Sequence, residues 1–195
     1  GCDIVINLVG ILHSRTGQPY GVDFDKAHVQ LPRRIAQACY KQGVEQLIHV
    51  SALGADAAGP SGYLRSKAAG EAAIARVYAN ADTATLHTGT YTIFQPSVVF
   101  GPDDQFMNMF AQLARFLPVL PIAGAQAQLQ PVFVGDVATA IVNVIALPQA
   151  RGTTYELAGP RIYTLGQLVQ LAAQWSGRQR WVLPLPLWLG QLQAL

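Results

Sequence analysis

The feature that most constrains this chain is the alternation of short apolar runs with helical stretches in its first half. DIVINLV (residues 3–9) is an apolar run closed by Gly10 and reads as a buried strand. A loop rich in Gly, Pro and Ser follows. The pattern then predicts a helix over residues 25–42, stopped by Gly43. QLIHV (46–50) reads as a second strand, 52–62 as a loop of small residues, and 63–79 as an alanine-rich helix. TYTIFQ (90–95) is β-rich and stops at Pro96. Strand, helix, strand, helix, strand implies right-handed crossovers and an α/β, Rossmann-like, doubly wound parallel sheet.

The second half predicts a helix over 105–116, an irregular stretch over 117–130 punctuated by Pro118, Pro121 and Gly124, and a short strand over 132–134. Asp136 is placed to cap a helix over 137–147. A short strand over 153–157 follows, and Thr164 with Gln167 forms a capping-box pattern opening a helix that Gly177 stops. The expected division, within one structural unit, is 1–101, part of the doubly wound sheet domain, and 102–195, a mixed α+β lobe that returns to the sheet.

In open parallel sheets, ligands bind beyond the carboxyl ends of the strands. Residues 8–10, 51–53 and 96–99 should therefore converge there. Ser51 ends a strand, and Tyr63 and Lys67 follow at helical i, i+4 spacing, which puts them on one face about 5–6 Å apart. An ammonium beside a phenol favours the phenolate and should lower its pKa. Tyr63 and Lys67 could then shuttle a proton at a carbonyl or carbinol, with Ser51 polarising the same oxygen. Lys67 keeps donors for the ribose hydroxyls of a nicotinamide cofactor. Taken alone, a Tyr and a Lys four apart is a surface pair; the strand-end serine and the topology turn it into a site.

Composition excludes several classes. The net charge is +2 with no dense basic run, so no nucleic-acid surface is expected. No apolar stretch reaches the ~18 residues needed to span a bilayer, and the apolar segment 181–195 is broken by Pro184 and Pro186. Cys2 and Cys39 form no redox or metal motif and read as reduced and buried, fitting a cytoplasmic compartment. His13, His49 and His87 lack metal spacing, and His49 reads as a satisfied core or subunit-contact residue. Asp103 and Asp104 precede a helix, where capping is the commoner use; Met107 and Met109 read as core. Charged residues make up only 12%, so a surface resting on a partner or membrane is a second expectation beside a neutral polar surface.

INLVG (6–10), GVEQLIHVSALGA (43–55), YLRSKAAGE (63–71), QPSVVFGPDDQF (95–106), QPVFVGDVATAI (130–141) and YELAGP (155–160) keep a common order along nearly the whole chain. In them the chain resembles the extended short-chain dehydrogenase/reductases, or NAD-dependent epimerase/dehydratases. Within these it is most similar to the branch of the nucleotide-binding accessory subunit of respiratory complex I and its bacterial relatives. The resemblance implies NAD or NADP as cofactor. It places Leu8, Val9 and Gly10 beside adenosine and diphosphate and Pro96, Ser97 and Val98 at the nicotinamide end, and it assigns catalysis to Ser51, Tyr63 and Lys67. The glycine-rich phosphate motif of that family is missing, so the chain is expected to begin near the family's fourth strand and to be a fragment truncated at both ends.

Two positions depart from the family. His28 stands where many relatives carry an Asn of a proton relay. Pro32, four residues on, frees the His28 carbonyl, which is expected to hold a water beside Lys67. Gln95 replaces a common Arg. Three functions compete: an oxidoreductase with Tyr63 as acid/base, a non-catalytic dinucleotide-binding module of a respiratory assembly peripheral to the inner membrane, and a sugar-nucleotide epimerase or dehydratase. Arg115, Arg151 and Arg161 are too scattered to argue the third. Residues 101–130 and the carboxyl-terminal third are expected to form the substrate pocket, and the apolar Phe106, Met109, Phe110, Leu113, Leu117 and Ile122 among them suggest an apolar, quinone-like or lipid-like substrate. No metal is expected.

Overall fold

The computed structural model describes residues 1–79 and 89–186. His87 and residues 187–195 of the apolar carboxyl-terminal segment lie outside the described residues. The chain forms two compact units, Gly1–Pro96 with Ala138–Leu157, and Ser97–Val137 with Ala158–Leu195. The boundary thus falls at Pro96 rather than at residue 101, and the second crossing of the chain hands residues 138–157 back to the first unit.

The first unit is built on a parallel four-stranded sheet of order β1-β2-β3-β8: β1 (Ile4–Asn7), β2 (Gln46–Val50), β3 (Thr90–Pro96) and β8 (Thr154–Leu157). Sequential order with right-handed crossovers puts both intervening helices on one face. These are α2 (Leu31–Gln42) and α3 (Gly62–Ala79), which pack side by side over Ala36, Cys39, Leu47 and Ile74. Cys39 is buried there, whereas Cys2, expected to be buried, is exposed ahead of β1. Central β2 is buried at Gln46, Leu47, Ile48 and His49 in succession, as a strand covered on both faces must be. Gly43 ends α2 with φ 69°, a left-handed conformation that glycine adopts without Cβ strain.

The approach to α2 is not regular. A short turn, α1 (Val22–Phe24), leads into a π-helical stretch over Asp25–Gln30 in which the Leu31 amide reaches back to the Lys26 carbonyl. Pro32 supplies no N–H to the His28 carbonyl, and the ladder widens there. The freed carbonyl packs onto Gly70 of α3, where any Cβ would collide with it.

The second unit holds β4 (Val99–Phe100) paired with β7 (Val132–Phe133), β6 (Gln128–Leu129) paired with β9 (Tyr163–Thr164), and β5 (Val119–Ala123) paired in parallel with β10 (Trp181–Leu185). Helices α4 (Gln105–Phe116) and α6 (Leu165–Trp175) pack on each other around Phe110, Leu120 and Val169. The stretch expected to be irregular thus contains a strand, and Trp181–Leu185 is another. Both carry prolines, Pro121 and Pro184, which a ribbon of only two strands tolerates because each strand has one unpaired edge. Helix α5 (Val134–Ala146) starts before Asp136, which therefore sits in its first turn rather than capping it. Asp104 does cap α4, accepting from the Met107 amide at 2.6 Å.

Candidate cofactor and catalytic site

Because the strands are parallel, the carboxyl ends of β1, β2 and β3 lie on one side of the sheet, at Asn7, Val50 and Pro96. The Ser51 amide donates to the Phe94 carbonyl at 2.7 Å and the Leu53 amide to the Pro96 carbonyl at 2.9 Å. These bonds carry the β2–β3 ladder into the loop and fix Ser51 at the edge. Ser51 is buried, and its Oγ has no partner among the described residues.

Tyr63 and Lys67 occupy the first turns of α3. Lys67 is only 4% exposed; its Nζ donates to the Val50 carbonyl at 3.3 Å, next to Ser51, and stands 5.9 Å above the Tyr63 ring centroid. Burial lowers the Lys67 pKa to about 8, opposed in part by the Glu71 carboxylate. The Gln95 amide donates to both Glu71 oxygens, at 2.9 and 3.0 Å, so the residue standing in place of the family's Arg is engaged on α3. Tyr63 departs from expectation: burial pushes its hydroxyl up, with no lowering by Lys67. The ammonium stands over the ring, where it makes a cation–π contact.

His28 joins three elements. Its Nε2 accepts from the Ile11 amide at 3.0 Å, so Nδ1 carries the proton and donates to Ser66 Oγ at 2.8 Å. Ser66 in turn donates to the Tyr63 carbonyl at 2.7 Å. The His28 ring stacks on Phe24 at 5.1 Å and meets Tyr63 edge-on at 5.5 Å. Burial and then the Lys67 charge hold it at about 4, well below an ordinary imidazole.

Leu8, Val9 and Gly10 follow β1 directly and are exposed. A Cβ on Gly10 would stand 3.2 Å from Lys67 Nζ. The first unit therefore brings together Ser51, Tyr63, Lys67, His28 and Gly10, with Leu8, Val9 and Pro96 at the same strand ends. Ser97 and Val98 belong to the second unit, where the Val98 carbonyl accepts from the Val132 amide at 2.9 Å. Sequence reasoning missed Asn7, His49 and Ser66. A lone carboxamide closing an apolar strand and a serine beside Lys67 were the available signals. His49 is buried as expected but satisfied at only one ring nitrogen.

The second unit contains two cavities of its own. One, of about 280 Å³, is walled by Phe100, Phe133, Leu168, Leu171 and Trp175 with Asp136 and Arg161; the other, of about 400 Å³, includes Asp104, Asn108 and Arg115. Both draw on the stretches expected to form the substrate pocket, 101–130 and the carboxyl-terminal third, through residues such as Met107 and Trp175 rather than through the apolar side chains singled out there. Phe106, Phe110 and Ile122 pack into the core beneath α4, while Met109, Leu113 and Leu117 face outward; Met109 is thus not core. Among the described residues no group of three His, Cys, Asp or Glu side chains could hold a metal ion, and no helix is long and apolar enough to cross a membrane.

Parallel strands crossed right-handedly, with serine, tyrosine and lysine gathered at their carboxyl ends, define a Rossmann-type α/β protein. The profile of the NAD dependent epimerase/dehydratase family matches residues 1–158, and the chain belongs to that family. It is 39% identical over 198 residues to the mitochondrial NADH dehydrogenase [ubiquinone] 1 alpha subcomplex subunit 9 of Mus musculus, covering 99% of this chain and 49% of that protein. The subunit of the same name from Dictyostelium discoideum is 31% identical over 178 residues, covering 89% of this chain and 46% of that one. The chain spans about half the length of these curated relatives. Among solved structures, MoeE5 in complex with UDP-glucuronic acid and NAD superposes with a TM-score of 0.78 at 17% identity, over 94% of this chain and 66% of that one.

Proposed function

We propose that the protein binds NAD or NADP and acts as an oxidoreductase of the short-chain dehydrogenase/epimerase type. Lys67 holds ribose hydroxyls, Ser51 polarises the substrate oxygen, and Tyr63 gives or takes the proton. The dinucleotide, when bound, supplies or accepts the hydride. Leu8, Val9 and Gly10 lie along its adenosine and diphosphate, His28 backs that segment, and Pro96 borders the nicotinamide. The residues fit such a group on two observations: Ser51 Oγ is a buried hydroxyl with no partner among the described residues, and Gly10 leaves clear the space that a Cβ would fill against Lys67.

The observation that carries the reading is the buried Lys67 ammonium between the Val50 carbonyl and the Tyr63 ring. Tyr63→Phe in the full-length protein is expected to lower turnover by about 100-fold or more while leaving dinucleotide affinity unchanged. Undiminished turnover would remove Tyr63 as the proton donor. Mass spectrometry of the nucleotide that copurifies decides NAD against NADP.

A second reading, a non-catalytic dinucleotide-holding module of a membrane-peripheral respiratory assembly, is favoured by the Tyr63 hydroxyl, which is pushed up rather than down. The relatives named as NADH dehydrogenase subunits point the same way. It predicts a retained dinucleotide that no carbonyl compound oxidises. The sugar-nucleotide reading has less support: Arg115 and Arg161 line different cavities, and Arg151 is paired with Glu45 at 3.6 Å. The aromatic walls around Trp175 suit an apolar substrate, quinone-like or lipid-like, better than a sugar.

A further inference from the structure

Two buried polar side chains stand outside the set already described. Asn7 ends β1, and His49 is its direct partner in β2, so the two side chains share a face of the sheet. They are 3% and 1% exposed. Asn7 Nδ2 lies 3.0 Å from His49 Nδ1, and the Val9 amide donates to Asn7 Oδ1 at 3.2 Å. The second bond fixes the sense of the first. An amide N–H needs an acceptor, so Oδ1 faces Val9 and the NH₂ group faces His49. An NH₂ group only donates, so Nδ1 is bare and the ring proton sits on Nε2. That Nε2–H is buried and has no partner among the described residues.

As core filler an imidazole with an orphan donor is inferior to leucine, because the orphan destabilises the fold. What the ring supplies is direction. It presents an acceptor that holds the Asn7 carboxamide in one of its two orientations, and only that orientation offers an oxygen to Val9. Gly10 follows at once, against Lys67, and Ile11 is held by His28. Burial, and then the Lys67 charge, keeps the His49 ring neutral and therefore able to accept.

We propose that His49 and Asn7 are positioning residues: His49 aims the Asn7 carboxamide, Asn7 holds the Val9 amide, and the Val9–Gly10 turn is thereby set for the dinucleotide. The dinucleotide clause rests on the function proposed above; the hold on Val9 does not.

The test uses the full-length protein and begins without any variant. The imidazole ¹⁵N spectrum of the wild type is expected to show His49 protonated on Nε2 alone; protonation on Nδ1 overturns the proposal. His49→Leu removes the acceptor, whereas His49→Asn can return an amide oxygen to the Nδ1 position. Hydrogen exchange at Val9 is expected to quicken about tenfold relative to the β2 amides in His49→Leu and to recover in His49→Asn. The NADH or NADPH dissociation constant is expected to rise by a similar factor, about tenfold, and to recover likewise. A lowered melting temperature with Val9 exchange unchanged relative to β2 overturns the proposal, because the role is then structural only. If His49→Leu does not fold, the ring spectrum and His49→Asn still decide: Val9 protection in His49→Asn must match the wild type. A wild type that binds no dinucleotide refutes the proposed function, and the hold on Val9 is then judged by exchange and tautomer alone.

Discussion

Both units bury apolar side chains, but they differ in the polar ones they bury beside them. Among the described residues, the buried polar and charged ones are Asn7, His28, Gln46, His49, Ser51, Ser66, Lys67 and Thr92, and all belong to the first unit. The core of the second is apolar, built on Phe110, Ala114, Leu120, Leu168 and Val169. In the first unit the constraint is hydrogen-bond direction: His28 to Ser66, Asn7 to His49 and Lys67 to Val50 each fix a tautomer or a donor. Its unpaired atoms include Ser51 Oγ and His49 Nε2, at or next to the strand ends where ligands bind in such sheets. In the second unit the constraint is volume, and the smaller of the two cavities described is walled largely by side chains that make no directional demand. Substitutions should therefore act through packing in one unit and through lost partners in the other.

The largest effect is expected from volume. Phe110→Ala removes a buried ring that packs edge-on against Phe106 at 5.2 Å and should cost about 3–5 kcal/mol, read by denaturant titration. A loss below about 1 kcal/mol would mean that the surrounding side chains collapse into the space, and the contrast between the units would weaken. Acid titration sharpens it from the other side. His28 titrates near 6.5 when unfolded and near 4 when folded, so the unfolded chain binds the extra proton between those values. Stability is complete above about pH 6.5 and falls as pH drops toward 4, by about 3 kcal/mol from His28. His49 acts in the same direction and extends the window to about 3. Unfolding free energies at pH 7 and pH 4.5 should show a slope that His28→Gln reduces. Next, Ser66→Ala leaves the His28 Nδ1–H without an acceptor and should cost about 1–3 kcal/mol, a loss that a small apolar cavity alone would not explain.

How far the sequence reveals this depends on the range of the interaction. The strand-helix alternation, the Gly43 stop and the shared face of Tyr63 and Lys67 follow from residues close in the chain, and they could be read directly. The Asn7–His49 pair depends on register between β1 and β2, forty-two residues apart in sequence, and no local pattern encodes it. The Tyr63 hydroxyl was misjudged because i, i+4 spacing fixes which face a side chain shares and leaves open whether an ammonium meets the ring or the oxygen. The apolar stripe of α4 was misassigned to a pocket for a related reason. Phe106 and Phe110 show the same periodicity whether the helix lines a cavity or covers a core. Strands β5 and β10 were hidden by Pro121 and Pro184, which break a central strand but not a two-stranded ribbon.

The smallest expected effect tests whether direction matters anywhere in the second unit. Thr164 opens α6 with reciprocal bonds: its Oγ1 accepts from the Gln167 amide at 3.2 Å, and its amide donates to Gln167 Oε1 at 2.8 Å. Thr164→Ala removes the first bond and leaves the second available, so it should cost about 1 kcal/mol. Gln167→Ala removes the reverse bond, at an exposed position where water replaces the lost acceptor, and should cost less than Thr164→Ala. Because α6 carries Leu168, Val169 and Ala172 into the core, fraying at its first turn loosens packing as well as hydrogen bonding. If the double variant loses more than the sum of the singles, the cap and the core are coupled there. The second unit would then depend on directed bonds at this helix end as the first does at its strand ends.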